Sequence, residues 1–463
     1  MKSRFSYSAF TQNIEKNSSQ KVIRTHTPIH GGENHFLPFS YNKLFNKDFS
    51  EITGLDDLHN PKSIIYQAQK KAAELFQVEE TLFSVNGASA CLMACFLALG
   101  QSGKVLIPRN AHKSMISGLI LSGLDPIFFE PEWDNEWGVF RGVKSSLISD
   151  LIQKHKNNNL KACFLTSPTY EGIALENLSE LVEICHENDL PIIVDESHGG
   201  HLSLLQNKLS AIHCGADLII HSAHKTLGSL TQTGLLHFQS ELINLAKLKA
   251  SLSLLQSTSP SYLLLVSLIE TLNSLSQSLK PLIEQEKMAK YLRSELSRIQ
   301  KVKLLPNDDP VRCVFRLENC NGYELSEWLY RNYKIETELE NNNWLMLLVS
   351  LATRKSDIRY IKKAIVNAIK FLATRTNKSP SEIKPSNFNC IENPRNAFFR
   401  SDKGKITFKC PPGIPTDFPG LEQVKPQKLN QKPENPFLED EFGEDEEELA
   451  LIGALDSYSN SES

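Results

Sequence analysis

Short apolar runs alternate with longer segments of helical periodicity through the middle of the chain. The short runs are continuous and rich in branched residues, which is typical of strands buried on both faces. This alternation predicts an α/β fold with a mostly parallel sheet flanked by helices. The predicted strands are TLFSV (81–85), KVLIP (104–108), PIFFEP (126–131), KACFLTS (161–167), PIIVD (191–195) and ADLIIHS (216–222). The predicted helices between them are NGASACLMACFLALG (86–100), AHKSMISGLILSG (111–123) and LSELVEICHEN (178–188).

The regions on either side of this alternation have other patterns. A long helical stretch, 259–299, is interrupted near Pro281 and leads to a second, smaller α/β unit. Residues 1–60 look irregular, and nine acidic residues between Glu434 and Glu448 predict a solvated, disordered tail. We divide the chain into an N-terminal arm (1–60), a large domain (61–280), a small α/β domain (281–376), a C-terminal segment (377–425) and an acidic tail (426–463).

Composition excludes several classes of partner. The formal net charge is only −4 over 463 residues, which gives no support for nucleic-acid binding. The apolar stretches are too short and interrupted to span a bilayer, and the N-terminus has no apolar run of a signal peptide. Nine cysteines without a C-x-x-C pair indicate reduced thiols. We therefore expect a cytoplasmic protein that binds neither nucleic acid nor membrane.

Polar side chains follow the predicted strands where a parallel sheet binds its ligands, beyond the carboxyl ends of the strands. The turn NGAS (86–89) places glycine and small residues at a helix start, where free N–H groups suit a phosphate. It is neither a Walker A loop nor a G-x-G-x-x-G, so nucleotide binding has no support. The polar residues at these strand ends are Ser89, His112, Thr166, Asp195, His198, Ser222, His224 and Lys225.

Asp195 and Lys225 are the two residues at this edge of the sheet that could take part in a reaction. Asp195 ends a buried strand and needs a cationic or donor partner, although a carboxylate there could also simply cap the next helix. Burial of Lys225 lowers its pKa and makes its amine a nucleophile that can form a Schiff base. A phosphate turn, a buried carboxylate and such a lysine together match the needs of pyridoxal 5′-phosphate.

The histidines of this edge have competing interpretations. His112 could stack on the pyridine ring or simply cap the start of a helix. The pairs HGGH (198–201) and HSAH (221–224) have a spacing that zinc sites use. One pair is separated by glycines and the other is followed by Lys225, a poor neighbour for a cation. We therefore predict no metal site.

Several stretches together resemble the Orn/Lys/Arg decarboxylase family, whose members are fold type I pyridoxal-phosphate enzymes. The similarity covers most of residues 48–270, with a shorter match near the C-terminus. The stretches are EITGLDDLHNP (51–61), VNGASA (85–90), IPRNAHKSMISGLILSG (107–123), SPTYEG (167–172), VDESHGGHL (194–202), GADLIIHSAHKTLGSLTQTGLLH (215–237), LLQSTSPSYLLLVSLI (254–269) and CPPGIP (410–415). The resemblance implies the fold type I transferase-like architecture with a C-terminal extension, in a short form without an N-terminal receiver-like domain.

The resemblance also implies roles for individual residues. Lys225, in S-x-H-K, corresponds to the lysine that forms the Schiff base with the cofactor, and Asp195 to the partner of the pyridine nitrogen. His112 corresponds to the ring-stacking histidine and His198 to a cofactor-adjacent position. The positions that correspond to phosphate contacts are Ala88, Ser89, Ser222 and His224.

The segment STSPS (257–261) matches one that reaches the cofactor of the neighbouring subunit, with Thr258 as the expected contact. The resemblance therefore implies a homodimer with shared active sites, and the short form makes large decameric assemblies less expected. The chain departs from the family at three places near its ends. These are HTPIHG (26–31), which replaces H-x-P-G-H-K, Cys410 in place of a tyrosine, and PGLE (419–422) in place of P-G-E.

The function implied is decarboxylation of arginine, lysine or ornithine, a small cationic amino acid, to the corresponding amine and CO₂. A first alternative is another fold type I activity, a carbon–carbon lyase or an aminotransferase with Arg312 or Arg354 holding the α-carboxylate. A second alternative is a non-catalytic paralogue that regulates a decarboxylase. The terminal departures leave the choice among the three substrates open.

Overall fold

The computed structural model describes residues 12–16, 27–29, 42–205, 208–372, 388–390, 393–396, 407–409, 414–417 and 421–423. The predicted acidic tail, Cys410 and the histidine-rich residues 30–36 lie outside the described residues. The arm was expected to be irregular, but it contains two short helices, α1 (12–16) and α2 (Asn42–Phe45).

A seven-stranded sheet forms the centre of the fold. Every strand except β9 runs parallel to the others, and β9 is antiparallel to both of its neighbours. The mostly parallel α/β sheet predicted from the sequence is confirmed, whereas β9 was not predicted. In order across the sheet, the strands are β1 (Glu80–Ser84), β9 (Gly234–Phe238), β8 (Leu218–Ser222), β7 (Ile192–Asp195), β6 (Leu160–Thr166), β2 (Lys104–Pro108) and β3 (Asp125–Phe129).

Helices cover both faces of this sheet, because its strands carry apolar side chains on both sides. One apolar core lies under α4 (Gly87–Ala98), α5 (Lys113–Ser122) and α10 (Leu245–Leu254). The other lies under α3 (Ile64–Phe76), α6 (Ser145–His155), α7 (Leu178–His186) and α11 (Tyr262–Gln277). Two short helices follow the central strands, α8 (Gly200–Leu204) after β7 and α9 (Ala223–Thr226) after β8.

A second, antiparallel sheet packs with three helices around its own apolar core. Pro281 lies in the first turn of α12, where its missing N–H costs no intrahelical bond. The predicted interruption near Pro281 is therefore the gap between α11 and α12. In sheet order the strands are β10 (Val302–Leu304), β11 (Arg312–Leu317), β13 (Leu345–Leu348) and β12 (Leu339–Glu340), and the helices are α12 (Lys280–Ser297), α13 (Gly322–Tyr333) and α14 (Lys355–Leu372).

Three short strand pairs complete the described elements. The hairpin of β4 (Trp133–Asp134) and β5 (Val139–Phe140) lies between β3 and α6. Nearer the C-terminus, β14 (Phe388–Cys390) pairs with β17 (Leu421–Gln423), and β15 (Thr407–Lys409) pairs with β16 (Ile414–Asp417). The boundaries proposed for the five domains stay predictions.

The motif GLDDLHNP organises the entry to α3. The Asp56 carboxylate accepts hydrogen bonds from the backbone N–H groups of Ser63 at 2.7 Å and Ile65 at 3.1 Å. Burial opposes ionisation of Asp56, but these backbone donors lower its pKa below the ordinary value. His59 binds Ser253 through Nδ1 at 2.8 Å and the Ser257 carbonyl through Nε2 at 2.7 Å. The motif therefore ties the start of α3 to the chain that follows α10.

Candidate active site

A cavity of about 320 Å³ opens beyond the carboxyl ends of β6, β7 and β8. These strands are neighbours in the sheet, so the polar residues that follow them converge, as the strand-end argument predicted. The cavity is lined by every residue singled out as a site candidate except Thr258. These lining residues are Ala88, Ser89, His112, Asp195, His198, Ser222, His224 and Lys225.

Lys225 lies in α9, directly after the fully buried strand β8, and is itself partly buried. Its Nζ is 3.2 Å from Nε2 of His198. Burial lowers the pKa of His198 well below 6.5, with the neighbouring positive charges as the next cause. The imidazole beside the lysine is therefore neutral at physiological pH.

Asp195 is the last residue of β7 and is only 5% exposed. Its Oδ1 accepts a hydrogen bond from the backbone N–H of Ser197 at 3.1 Å. Asp195 therefore stabilises the turn after β7 and does not cap the next helix, α8, whose N-cap is Gly199. The same side chain lines the cavity. The turn holds the carboxylate in place at the cavity floor.

His112 also combines the two interpretations that the sequence left open. It is the N-cap of α5, where its Nδ1 accepts from the Ser114 N–H at 3.2 Å and lies 2.7 Å from Ser114 Oγ. Its ring lines the cavity, and burial is the main cause of its lowered pKa. The cap orients the ring, so that capping and ligand contact do not compete.

The turn at the start of α4 approaches the sheet closely. Gly87 has φ +76°, a conformation that favours glycine, and its N–H donates to the Gln232 carbonyl at 2.8 Å. A Cβ at Gly234 would lie 2.8 Å from both the Ala88 nitrogen and the Gly87 carbonyl carbon. Only a glycine at position 234 therefore leaves room for this turn to pack against β9.

Nearby contacts stabilise the same turn. Gln256 Oε1 accepts from the Val85 N–H at 3.0 Å, and Ser84 Oγ donates to the Gly87 carbonyl at 3.0 Å. His224 Nδ1 is 3.1 Å from the Thr233 carbonyl, which can only accept, so Nδ1 carries the hydrogen. Nε2 of His224 is then the nitrogen available to a ligand.

Two buried polar atoms in the cavity wall lack a hydrogen-bond partner among the described residues. These atoms are Oδ1 of Asn110 and Oγ1 of Thr166. Buried polar atoms are ordinarily paired, so orphaned atoms at a cavity point to a ligand that satisfies them. Thr166 was noted at its strand end, and Asn110 lies in the motif RNAH, yet neither was predicted to be a site residue.

The wall opposite the strands is aromatic and comes from distant parts of the chain. Trp133 and Phe140 come from the β4–β5 hairpin, and Trp344 comes from the turn directly before β13 of the second sheet. Trp344 joins the two regions, because its indole N–H donates to the Trp137 carbonyl in the hairpin at 2.9 Å, and the Tyr170 hydroxyl donates to Glu338 Oε1 at 2.5 Å. Glu171, beside it, supplies a second carboxylate to the cavity. The sequence analysis missed this wall, since no local pattern links these residues.

The family model described as Orn/Lys/Arg decarboxylase, major domain, matches residues 25–314. The chain belongs to the Orn/Lys/Arg decarboxylase family. It is 31% identical over 440 residues to a protein named arginine decarboxylase from Bacillus subtilis, covering 88% of this chain and 89% of that protein. A protein of the same name from Bacillus cereus is 31% identical over 443 residues, covering 89% of this chain and 96% of the relative.

Solved structures show that the fold is the fold type I architecture of this family. The lysine decarboxylase of Francisella novicida superposes with a TM-score of 0.75 at 18% identity, covering 90% of this chain and 75% of that chain. The predicted family and fold are both confirmed. Of the helices that the structure describes, none has the length and apolar character to cross a bilayer.

Thr258, the residue that the family resemblance placed at a neighbouring subunit, does not line this cavity. Thr258 is exposed. It follows Ser257, whose carbonyl accepts a hydrogen bond from His59. Its role as a contact across a dimer stays a prediction. The chain around it is held in place by Gln256 and His59, two residues that the sequence analysis did not select.

The histidine pairs weighed as metal ligands have separate partners. His201 Nε2 lies 3.1 Å from Asp309 Oδ1, whereas His198 contacts Lys225. His221 Nε2 donates to Glu196 at 2.8 Å, and its Nδ1 lies 2.9 Å from Nε2 of His237. Within the described residues, no group of three or more histidine, cysteine, aspartate or glutamate side chains could hold a metal ion.

Proposed function

We propose that this protein is a pyridoxal-phosphate-dependent decarboxylase of a basic amino acid. The observation that carries the proposal is the convergence of Lys225, Asp195 and His112 on one cavity at the carboxyl ends of the parallel strands. Membership of the Orn/Lys/Arg decarboxylase family supports the reaction type. The relatives named arginine decarboxylase make arginine the first substrate to test.

The residues of the cavity fit the cofactor chemically. Free N–H groups at the start of α4, in the turn that Gly234 admits, suit a phosphate. The orphaned atoms of Asn110 and Thr166 call for a polar ligand. We propose that Ala88, Ser89, Ser222 and His224 hold the phosphate, that Asp195 holds the ring nitrogen, and that His112 lies against the ring. Lys225 and His198 would lie at the aldehyde end.

When bound, pyridoxal phosphate supplies a carbonyl for the substrate amine and a ring that withdraws electrons from Cα. The side chains around it orient the substrate, so that its carboxylate leaves as CO₂ and the electron pair remains at Cα. The reaction then consumes one proton at Cα, and we propose that Lys225 delivers it. The aromatic wall excludes water from the reacting carbon.

The alternative of an aminotransferase receives less support from the site. Arg312 is paired with Asp309 and His198, and the cavity lining among the described residues does not include it. Arg354 is exposed near the start of α14. Neither arginine therefore presents a guanidinium to a substrate carboxylate in this structure.

The proposal also covers the quaternary structure and the location of the protein. We propose a homodimer with shared active sites, supported by the exposure of Thr258 near the cofactor turn. We also propose a cytoplasmic location, supported by the free thiols of Cys91, Cys163 and Cys313.

A product assay with arginine, lysine and ornithine at equal concentration tests the proposed function. We expect CO₂ and the corresponding amine from one of the three. Keto-acid formation without CO₂ would instead identify an aminotransferase. Absence of CO₂, together with no cofactor on Lys225 after borohydride reduction and peptide mapping, would identify a non-catalytic paralogue.

We expect Glu171→Gln to raise the KM for the preferred amino acid about tenfold, because it removes a charge that the cationic side chain of the substrate can contact. Glu171 lines the cavity beside the aromatic wall. The matched control is Glu176→Gln, which makes the same change at an exposed position of the same loop. Equal KM values for the two variants would contradict this assignment of Glu171.

We expect Gly234→Ala to weaken pyridoxal-phosphate binding about tenfold, because overpacking at a backbone contact costs about 1–3 kcal/mol. The added Cβ would press on Gly87 and Ala88, and no flexible side chain is there to yield. Equilibrium titration of the cofactor-free protein measures the effect. Gly142→Ala is the control, since its Cβ would meet only the far end of the Glu132 side chain. Unchanged affinity in Gly234→Ala would show that the phosphate binds elsewhere.

A further inference from the structure

A buried chain of polar contacts runs from the second sheet to Lys225. Arg312, the first residue of β11, is 2% exposed and places Nη2 2.8 Å from Nδ1 of His198. His198 Nε2 in turn lies 3.2 Å from Lys225 Nζ. These contacts therefore connect Arg312, which lies outside the cavity lining, to the Lys225 amine through the imidazole of His198.

The chemistry of these groups fixes which of them donates and which accepts in each hydrogen bond. A guanidinium only donates hydrogen bonds, so Nδ1 of His198 must accept from Arg312. A neutral imidazole has one lone pair and one N–H, and Arg312 uses the lone pair. The remaining hydrogen is therefore on Nε2, which faces Lys225. An N–H in that position can be satisfied only if the Lys225 amine accepts, and an amine accepts only in its neutral form.

We propose that Arg312 is a positioning residue that fixes His198 in its Nε2–H tautomer and so favours the neutral, nucleophilic form of Lys225. This inference rests on the proposed function, in which Lys225 reacts with a carbonyl. Arg312 acts through His198 and needs no contact with the substrate.

Other groups around His198 agree with this arrangement. His112 and His224 face the same ring and have lowered pKa values caused mainly by burial, so they add no fixed charge. The Tyr170 ring packs against it, with ring centroids 4.6 Å apart. Among the groups that lower the pKa of His198, only Arg312 therefore carries a fixed charge in this arrangement, because the Lys225 amine is neutral there.

Asp309 holds Arg312 in place from the opposite side. Its Oδ2 accepts from Nη1 of Arg312, and its Oδ1 accepts from the Val311 N–H at 3.0 Å and contacts His201 Nε2 at 3.1 Å. Burial opposes ionisation of Asp309, but its contacts with His201 and Arg312 lower its pKa to about 2. The carboxylate stays ionised, so Arg312 is oriented as well as neutralised.

The first test reads the tautomer directly in the full-length, cofactor-free protein labelled with ¹⁵N-histidine. The imidazole ¹H–¹⁵N spectrum at neutral pH distinguishes the two tautomers, and the spectrum of His198→Gln assigns the His198 signals. We expect Nε2–H in the wild type and loss of that preference in Arg312→Met. An Nδ1–H tautomer in the wild type would overturn the proposal, even if the variant fails to fold.

The second test measures how fast pyridoxal phosphate labels Lys225 in the cofactor-free protein, trapped by borohydride and located by peptide mapping. At neutral pH we expect labelling of Arg312→Met to be about tenfold slower, with recovery as the pH rises and the amine loses its proton. Arg331→Met, which changes an exposed arginine of α13, should label at the wild-type rate.

Equal labelling rates in the wild type and Arg312→Met would overturn the role of Arg312. Neither measurement depends on turnover. Failure of the proposed role of Arg312 is therefore distinguishable from failure of the proposed function. If no amino acid releases CO₂ but the tautomer and labelling results hold, only the proposed decarboxylation is lost.

Discussion

Lys225→Ala is expected to lower CO₂ release about a thousandfold or more and to abolish borohydride-trapped cofactor at this position. The large effect follows because one amine serves both as the group that captures the cofactor and as the proposed proton donor to Cα. No other lysine lines the cavity among the described residues, so no neighbour can replace it. CO₂ release and peptide mapping measure the two losses separately.

The control is Lys247→Ala, which removes an exposed lysine from α10. It should retain wild-type activity and labelling. If Lys225→Ala keeps a tenth or more of the wild-type rate, the proposed role of Lys225 is wrong.

Asp195→Asn is expected to lower CO₂ release about a hundredfold or more, because removing one preorganised charge from a buried site has effects of this size. The substitution keeps the shape of the side chain and its contact with the Ser197 N–H, and it removes only the negative charge. In the proposed arrangement, the proton on the ring nitrogen of the cofactor would lose its partner, so electrons would be withdrawn less strongly from Cα.

Asp189→Asn makes the same chemical change at an exposed turn that precedes β7, and it should leave activity unchanged. Thermal unfolding of both variants separates a catalytic loss from a folding defect. Wild-type activity in a folded Asp195→Asn protein would show that the carboxylate only caps its turn.

The strands and helices that build the sheet were predictable because their signals are local. The prediction for β2, 104–108, coincides with the strand Lys104–Pro108, and α7 ends within two residues of its predicted end. The antiparallel strand β9 was missed because periodicity alone does not distinguish a short apolar strand from a segment of buried helix. The requirement for glycine at position 234 is visible only in the folded structure, where the turn at Gly87 and Ala88 packs against it.

The candidate site was likewise predictable only in part. Asp195, His112 and Lys225 stand at strand ends, and topology alone brings the ends of adjacent parallel strands together. The aromatic wall could not be predicted, because Trp133 and Trp344 come from a hairpin and from the turn before β13, far apart in the chain.

The sequence by itself determined the parallel sheet, the family and the polar residues at the strand ends, because periodicity and motif spacing are properties of neighbouring residues. Only the tertiary structure decided what each polar group faces. Arg312 was a candidate carboxylate-binding residue by position, yet it pairs with His198, 114 residues away in the chain. A hydrogen-bond direction depends on which donor meets which acceptor, and that is settled only when distant segments pack together.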